Sequence, residues 1–218
     1  MPYSLDLSPD DLLTTTRAVR RRLDFDRPID LELITECIGI ALQAPSGSNR
    51  QGWHWIVVTD PGQRSRIAEL YRSAFDEYRR TATHSGSLYA EGGQQDPSRR
   101  RIADSVQYLA DNLHRVPVLL LTGIMAPGSA VLPDTSAASM WGSLFPAVWS
   151  YMLAARARGL GTVWTDLHLR HEREMAEILG LPGDLRQGPL VPTAYSIGTD
   201  FRPGTRVPVT DVLHVDRW

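Results

Sequence analysis

Apolar residues recur along this chain with two periods, three to four residues in some segments and continuous runs in others, and the alternation predicts helices interleaved with strands. Leu33, Ile34, Cys37, Ile38, Ala41 and Leu42 share one helical face, so a helix is expected from about Leu31 to Gln43. Trp53 to Thr59 reads as a strand, with His54 facing opposite to Trp53 and Trp55. Ile67, Leu70, Tyr71 and Phe75 keep helical spacing and predict a helix from about Gln63 to Thr81. Ile102, Val106, Leu109 and Leu113 predict another from Arg100 to His114. Val116 to Thr122 is a buried strand, and Phe145, Val148, Trp149, Met152 and Leu153 are the expected inner face of a helix from Ser143 to Arg158.

The remaining elements follow from their boundaries. A first helix starts near Ser8 or Asp10 and carries Leu12, Leu13 and Thr16 towards Arg17, Arg20, Arg21 and Arg22. Gly159 closes the long helix with the left-handed residue a C-terminus favours, and Leu160 to Trp164 turn into a short strand. A helix from Arg170 to Leu179 and a last strand from Val191 to Gly198 complete the pattern. His84 to Pro97, rich in Gly, Ser and Gln, is expected as a loop within a lid-like excursion over about 73–113.

Composition narrows the class. The chain has 218 residues, of which 42% are hydrophobic and 22% charged, enough for one globular domain over residues 1–218 with a full core. Net charge is -2, which gives no global basic excess for nucleic acid or acidic membrane. The longest apolar run, Val116 to Met125, is interrupted by Pro117, Thr122 and Gly123 and is shorter than the roughly 20 residues that span a bilayer. Met1 to Asp11 lacks a basic segment followed by an apolar one, so a cytoplasmic location is expected. Cys37 is the only cysteine, which excludes an internal disulfide and multi-cysteine metal sites, and its place on a helical apolar face predicts core packing.

Several segments could carry chemistry. Ala44, Pro45, Ser46, Gly47, Ser48, Asn49, Arg50, Gln51, Gly52 and Trp53 form either an ordinary turn or a loop that grips a flat ligand against backbone. Arg17, Arg20 and Arg21 offer cationic forks at a helix end, a phosphate site or a solvated basic edge. No GxxxxGK[ST], no GxGxxG after a strand and no GxSxG is present, so nucleotide-binding loops and a serine nucleophile lack their motifs. Asp166, His168, His171, Glu172 and Glu174 fit metal-ligand spacing poorly and read as a charged helix start. Tyr89, Tyr108, Trp141 and His114 are candidates for lining a pocket under the lid.

Taken together, these motifs resemble the nitroreductase family of FMN-dependent oxidoreductases. Arg17, Ala18, Val19, Arg20 is similar to the family's RSxR, APSGSNRQGW to its APSxxNxQPW, GLGTVW to its glycine motif after the long helix, and the tail from Gly198 to Trp218 to its ending. Ala18 stands where the family has serine, and Gly52 where it has proline. The resemblance implies an α+β fold with a mixed central sheet flanked by helices, two subunits intertwined as a homodimer, and FMN at their interface. It implies that Arg17, Arg20 and Arg206 hold the FMN phosphate, with Ala18 a cofactor-binding position that lacks the family's serine hydroxyl. Pro45, Ser46 and Asn49 would meet the flavin across the interface, with Gln51 nearby, and Gly161, Thr162, Trp164 and Thr165 would pass along its ring.

The implied activity is a ping-pong transfer of hydride from NADH or NADPH, through flavin, to a nitroaromatic or quinone. The flavin then carries the chemistry and no protein residue acts as nucleophile. Alternatives within the same fold are flavin fragmentation, dehalogenation, substrate dehydrogenation, or flavin binding without turnover. A nucleic-acid binder using Arg99, Arg100 and Arg101 is disfavoured by the acidic balance, and neither a nucleic-acid nor a membrane partner is expected.

Overall fold

The computed structural model describes residues 4–81, 97–126 and 134–218, so the segment 84–96 and Tyr89 lie outside the described residues. Its elements in chain order are α1 (Pro9–Thr15), β1 (Leu23–Asp24), α2 (Leu31–Ala41), β2 (Trp53–Val58), α3 (Pro61–Thr81), α4 (Pro97–Asn112), β3 (Val118–Met125), α5 (Asp134–Ala157), β4 (Leu160–Thr162), α6 (Glu172–Leu179) and β5 (Leu185–Ser196). Helix starts are set by short polar side chains. Ser8 Oγ accepts from Asp11 N at 3.1 Å and Asp30 Oδ1 from Glu32 N at 3.0 Å.

The sheet runs β1-β5-β3-β2, with β4 also paired to β5, and every ladder is antiparallel. The parallel component is a single bridge between Ala18 and Thr162. Helices cover both faces. Leu119 and Leu121 of β3 pack into one core with Ile67, Tyr71 and Phe75 of α3 and Met175 of α6. Val118, Leu120 and Ile124 turn the other way, onto Ile34, Cys37 and Ala41 of α2 and Leu144, Val148 and Tyr151 of α5. Burial on both faces is why β3 is apolar at nearly every position rather than alternating.

Cys37 is fully buried, and burial pushes its thiol up to about 11, which keeps it protonated and unreactive. Two elements are longer than their sequence patterns suggest. Helix α5 begins nine residues before Ser143, through a run of small and hydroxyl residues. Strand β5 begins six residues before Val191, through Gln187, Gly188 and Pro189. Residues 167–171 form a 3-10 turn that precedes α6. Phe145 and Trp149, expected inside, are 39% and 37% exposed, while Val148 and Met152 are buried.

Candidate functional site

The sequence after α1 runs extended and lies against β4. Val19 N donates to Thr162 O at 2.8 Å, next to the Ala18–Thr162 bridge. Position 161 has to be glycine for this approach, because a Cβ there would sit 2.9 Å from Val19 Cγ1 and 3.1 Å from Leu23 Cδ2. The arginine motif and the GLGTVW motif, widely separated in sequence, are thereby joined into one surface.

The tail completes it. Beyond β5 the chain turns at Gly198, whose φ of 72° is left-handed. Arg22 holds this turn, donating from Nε to Ile197 O at 2.7 Å and from Nη2 to Asp200 Oδ1 at 2.8 Å. That hydrogen bond keeps the Asp200 carboxyl below its usual range. The tail then returns to the N-terminal segment. A Cβ on Gly204 would lie 2.7 Å from Arg206 Nη1 and 2.8 Å from Arg17 Nη2, so two guanidiniums converge on one backbone position. Among the described residues no carboxylate pairs with Arg17 or Arg206. Like charges a few ångströms apart repel, and an arrangement that holds them together without a carboxylate fits an anion with several acceptor oxygens. Arg20, Arg21, Arg22 and Phe201 line an adjoining groove of about 180 Å³.

Along the strand, Val163 N donates to Pro192 O and Thr165 N to Leu190 O, each at 3.1 Å. Extended backbone points alternate amides to opposite sides, so the intervening Trp164 amide faces away from β5. The Thr165 hydroxyl is 2.9 Å from Tyr71 OH in the core, which makes Thr165 part of the frame behind this surface. The Trp164 ring meets Phe145 edge-on at 5.3 Å, and Phe145 stacks on Trp141 at 5.4 Å. His168 is fully buried, and burial, opposed by a contact with the Gly188 backbone, lowers its pKa to about 4. His171 Nε2 lies 3.1 Å from Glu77 Oε1. Among the described residues no three His, Cys, Asp or Glu side chains gather as metal ligands.

The loop between α2 and β2 forms a second surface. Ser48, Asn49 and Gln51 all have φ near 50°, a left-handed conformation that costs a non-glycine residue about 1 kcal/mol or more. Three such residues in four positions have to be held in place. Ser46 Oγ accepts from Gln51 N at 3.2 Å, Gln51 Nε2 donates to Asn49 Oδ1 at 3.0 Å, and Gly47 N donates to Ser143 Oγ of α5 at 2.9 Å. A Cβ on Gly47 would be 2.8 Å from Ser139 Oγ, so glycine permits the loop to lie on the helix. Between loop and helix is a cleft of about 260 Å³ whose polar lining comes from Ser46, Arg50, Gln51, Ser136, Ser139 and Ser143. Pro45 is exposed at the loop's start. Gly52, at its end, accepts from Met125 N at 2.8 Å, a carbonyl bond that proline at this position would also make.

The predicted residues thus fall into two groups. Arg17, Ala18, Gly161, Thr162 and Arg206 come together, with Trp164 and Thr165 continuing the strand and Arg20 in the adjoining groove. Ser46, Asn49 and Gln51 form the other surface, and no hydrogen bond, ion pair or ring contact among the described residues joins them to Arg17 or Arg206. Helix α5 connects the two, presenting Ser136, Ser139 and Ser143 to the loop and Phe145 to Trp164. Among the described residues, Tyr108 stacks on Phe25, Trp141 stacks on Phe145, and His114 lines a groove with Phe25, Arg27 and Arg64. The serines at 136, 139 and 143 repeat at helical spacing, a signal that could have placed them on one face. Gly204 carries no local signal, because its requirement comes from Arg17 at the other end of the chain.

Known proteins share this arrangement of sequence and fold. A protein of Archaeoglobus fulgidus, provisionally named an NADH dehydrogenase/NAD(P)H nitroreductase, is 26% identical over 95% of this chain and 97% of its own length. An iodotyrosine deiodinase of Thermotoga neapolitana is 28% identical over 84% of this chain and 86% of its own. The crystal structure of an FMN- and NADPH-dependent nitroreductase from Sphigopyxis sp. strain HMH shares the fold with a TM-score of 0.68, at 21% identity over 97% of this chain and 100% of that one. The sequence pattern of the nitroreductase family matches residues 13–195, and the chain belongs to that family.

Proposed function

We propose that the protein is an FMN-dependent oxidoreductase that passes reducing equivalents from NADH or NADPH to an electron-poor aromatic or quinone acceptor, and that it works as a homodimer. The observation that carries this reading is the convergence of Arg17 and Arg206 on Gly204 beside the Gly161–Thr165 segment, a cradle suited to the phosphate of a flavin mononucleotide. Arg17 and Arg206 would hold the phosphate by charge-assisted hydrogen bonds, Arg20 would add positive charge at its edge, and Ala18 and Thr162 would set the backbone between them. The Trp164 amide, between two amides bonded to β5, would donate to the flavin ring and tune its electron affinity. FMN supplies the hydride-accepting and hydride-donating chemistry when bound, so the protein's task is to bind, orient and polarise.

The homodimer accounts for the separation of the two groups. Pro45, Ser46, Asn49 and Gln51 make no contact with their own subunit's arginine pair among the described residues, and a second copy would bring them to it. The tail supports this arrangement, since Val207, Val209, Val212, Leu213, Val215 and Trp218 are 61% to 99% exposed and would bury apolar surface against a partner.

Purified protein mixed with FMN is expected to gain visible flavin absorbance. NADH or NADPH should bleach it under anaerobic conditions, and a quinone should restore it. Protein that binds no FMN would overturn the reading. Arg206→Ala is expected to weaken FMN binding by about tenfold or more, as loss of a hydrogen bond between charged groups costs roughly 1.5–3 kcal/mol. Titration by flavin fluorescence measures this, and unchanged affinity would remove Arg206 from the site.

A second reading keeps the flavin and changes the substrate. The deiodinase relative, together with the polar cleft beside Arg50, favours an acceptor that bears a carboxylate, such as a halogenated aromatic amino acid. Assaying 3-iodotyrosine and a neutral quinone side by side decides between the two, with iodide release marking the second.

A further inference from the structure

Arg156 lies in the last turn of α5 and is only 4% exposed, the most unusual setting of any arginine among the described residues. No carboxylate pairs with it there, and its Nε and Nη1 are buried without an acceptor. Burying a guanidinium unpaired is costly, so the charge has to be offset by what its third nitrogen does. Nη2 donates to Thr199 O at 2.8 Å and lies 3.5 Å from Thr15 Oγ1. Thr15 is two residues before Arg17, and Thr199 opens the turn that leads the tail to Gly204 and Arg206. One nitrogen therefore touches both segments whose arginines converge.

The ring of Phe201 reinforces the link. The Arg156 guanidinium stands 4.8 Å from its centroid and that of Arg22 4.3 Å. Arg22 belongs to the N-terminal segment and is bonded to Ile197 and Asp200 of the tail turn. The N-terminal segment and the tail are thus tied through Thr15, Thr199, Arg22 and Phe201, with Arg156 at the centre. Burial first, and the nearby Arg22 second, lower the Arg156 pKa, which reflects a cation held where it is poorly solvated.

We propose that Arg156 is a positioning residue: it staples the segment carrying Arg17 to the segment carrying Arg206, and so preorganises two mutually repelling guanidiniums for an anionic phosphate. Arg156 itself contacts Thr15, Thr199 and Phe201, so its proposed role runs through these segments and not through the ligand. It acts by keeping Arg17 and Arg206 at one point before the anion arrives, so that binding does not have to supply that ordering. The proposal rests on the flavin mononucleotide reading above.

The test compares FMN with riboflavin, which has the same ring and no phosphate. In Arg156→Met, FMN affinity measured by flavin fluorescence should fall roughly tenfold or more, the scale on which loss of outer supporting contacts weakens ligand binding. Riboflavin affinity should not change. Arg156→Lys, which keeps a cation and a donor, should recover part of the FMN affinity. In the flavin-free protein, hydrogen exchange of residues 197–206 should quicken in Arg156→Met. If that variant does not fold, Thr15→Val removes one end of the staple, together with the Thr15 hydroxyl's own bond to Asp11 O, and should lower FMN affinity in the same selective way.

Equal loss of FMN and riboflavin would show a general structural role and overturn the proposal. So would unchanged FMN affinity or unchanged exchange of 197–206 in Arg156→Met, and in each of these cases the wild type's FMN binding stands. A wild type that binds neither flavin overturns the flavin reading itself, and the phosphate-positioning role with it.

Discussion

Single residues in this protein have requirements set by distant segments, and Gly161 and His168 illustrate two kinds. Gly161 lies against Val19 and Leu23 so closely that an alanine methyl must displace the N-terminal segment. Gly161→Ala is therefore expected to lose about 1–3 kcal/mol by overpacking, measured by urea unfolding, and to weaken FMN binding as Arg17 moves. His168 is a matter of charge. Its folded pKa of about 4 is below the ordinary 6.5, so the folded state stays neutral where the unfolded chain takes up a proton. Stability from this group is complete above pH 6.5 and is lost as pH falls towards 4, by about 3 kcal/mol at roughly 1.4 kcal/mol per unit. Unfolding measured at pH 7 and pH 4.5 should show a smaller acid loss in His168→Gln than in wild type. Equal losses would mean that other groups set the acid sensitivity.

At the scale of elements, period and position decided what could be read from sequence. Helix α2 and strand β2 were legible because each buries one clear stripe or face, and the boundaries expected for them fall within two residues of those found. Helix α5 looks shorter in sequence than it is because Ser136, Ser139 and Ser143 line a polar cleft, and a polar face does not advertise a helix. Phe145 and Trp149 share helical spacing with the buried Val148 and Met152, yet they form a second, exposed stripe that spacing alone could not separate. Strand β5 was read short because Gly188 and Pro189 look like breakers. Gly188 is there because a Cβ would sit 2.5 Å from Leu144 Cδ2, and Pro189 because its carbonyl, which accepts from the Thr122 hydroxyl at 2.8 Å, is all the site needs from it. The central strand β3 was legible as the chain's longest apolar run, although Thr122 and Gly123 interrupt it. Its Leu120, fully buried between α2 and α5, should cost roughly 3 kcal/mol when cut to alanine, with FMN affinity unchanged because it touches neither binding surface. Urea unfolding together with FMN titration measures both, and a matching fall in affinity would mean that the core sets the shape of the site.

The whole molecule spreads its candidate site over two surfaces that no contact among the described residues joins. The proposed phosphate cradle was legible in part, since Arg17 and Arg20 sit in a local motif, but the approach of Arg206 to Arg17 depends on a tail whose path sequence does not give. Residues 207–218 carry apolar side chains into solvent, an arrangement that costs about 25 cal/mol for each square ångström left uncovered and would be reversed if a second copy covered it. Removing residues 207–218 spares Arg206 and Gly204 while deleting six exposed apolar side chains, so it separates assembly from phosphate binding. Light scattering of the intact protein should give twice the 24.3 kDa of one chain, and the truncated protein should shift towards a single chain. Truncated monomer should bind FMN more weakly than the dimer, because the Ser46–Gln51 surface would no longer be supplied from across the interface. A truncated protein that remains dimeric would transfer the role of assembly to the exposed Phe145 and Trp149 stripe of α5. A monomer that binds FMN as tightly as the dimer would mean that the arginine cradle and the Trp164 segment suffice, and that the strained loop serves the acceptor rather than the flavin.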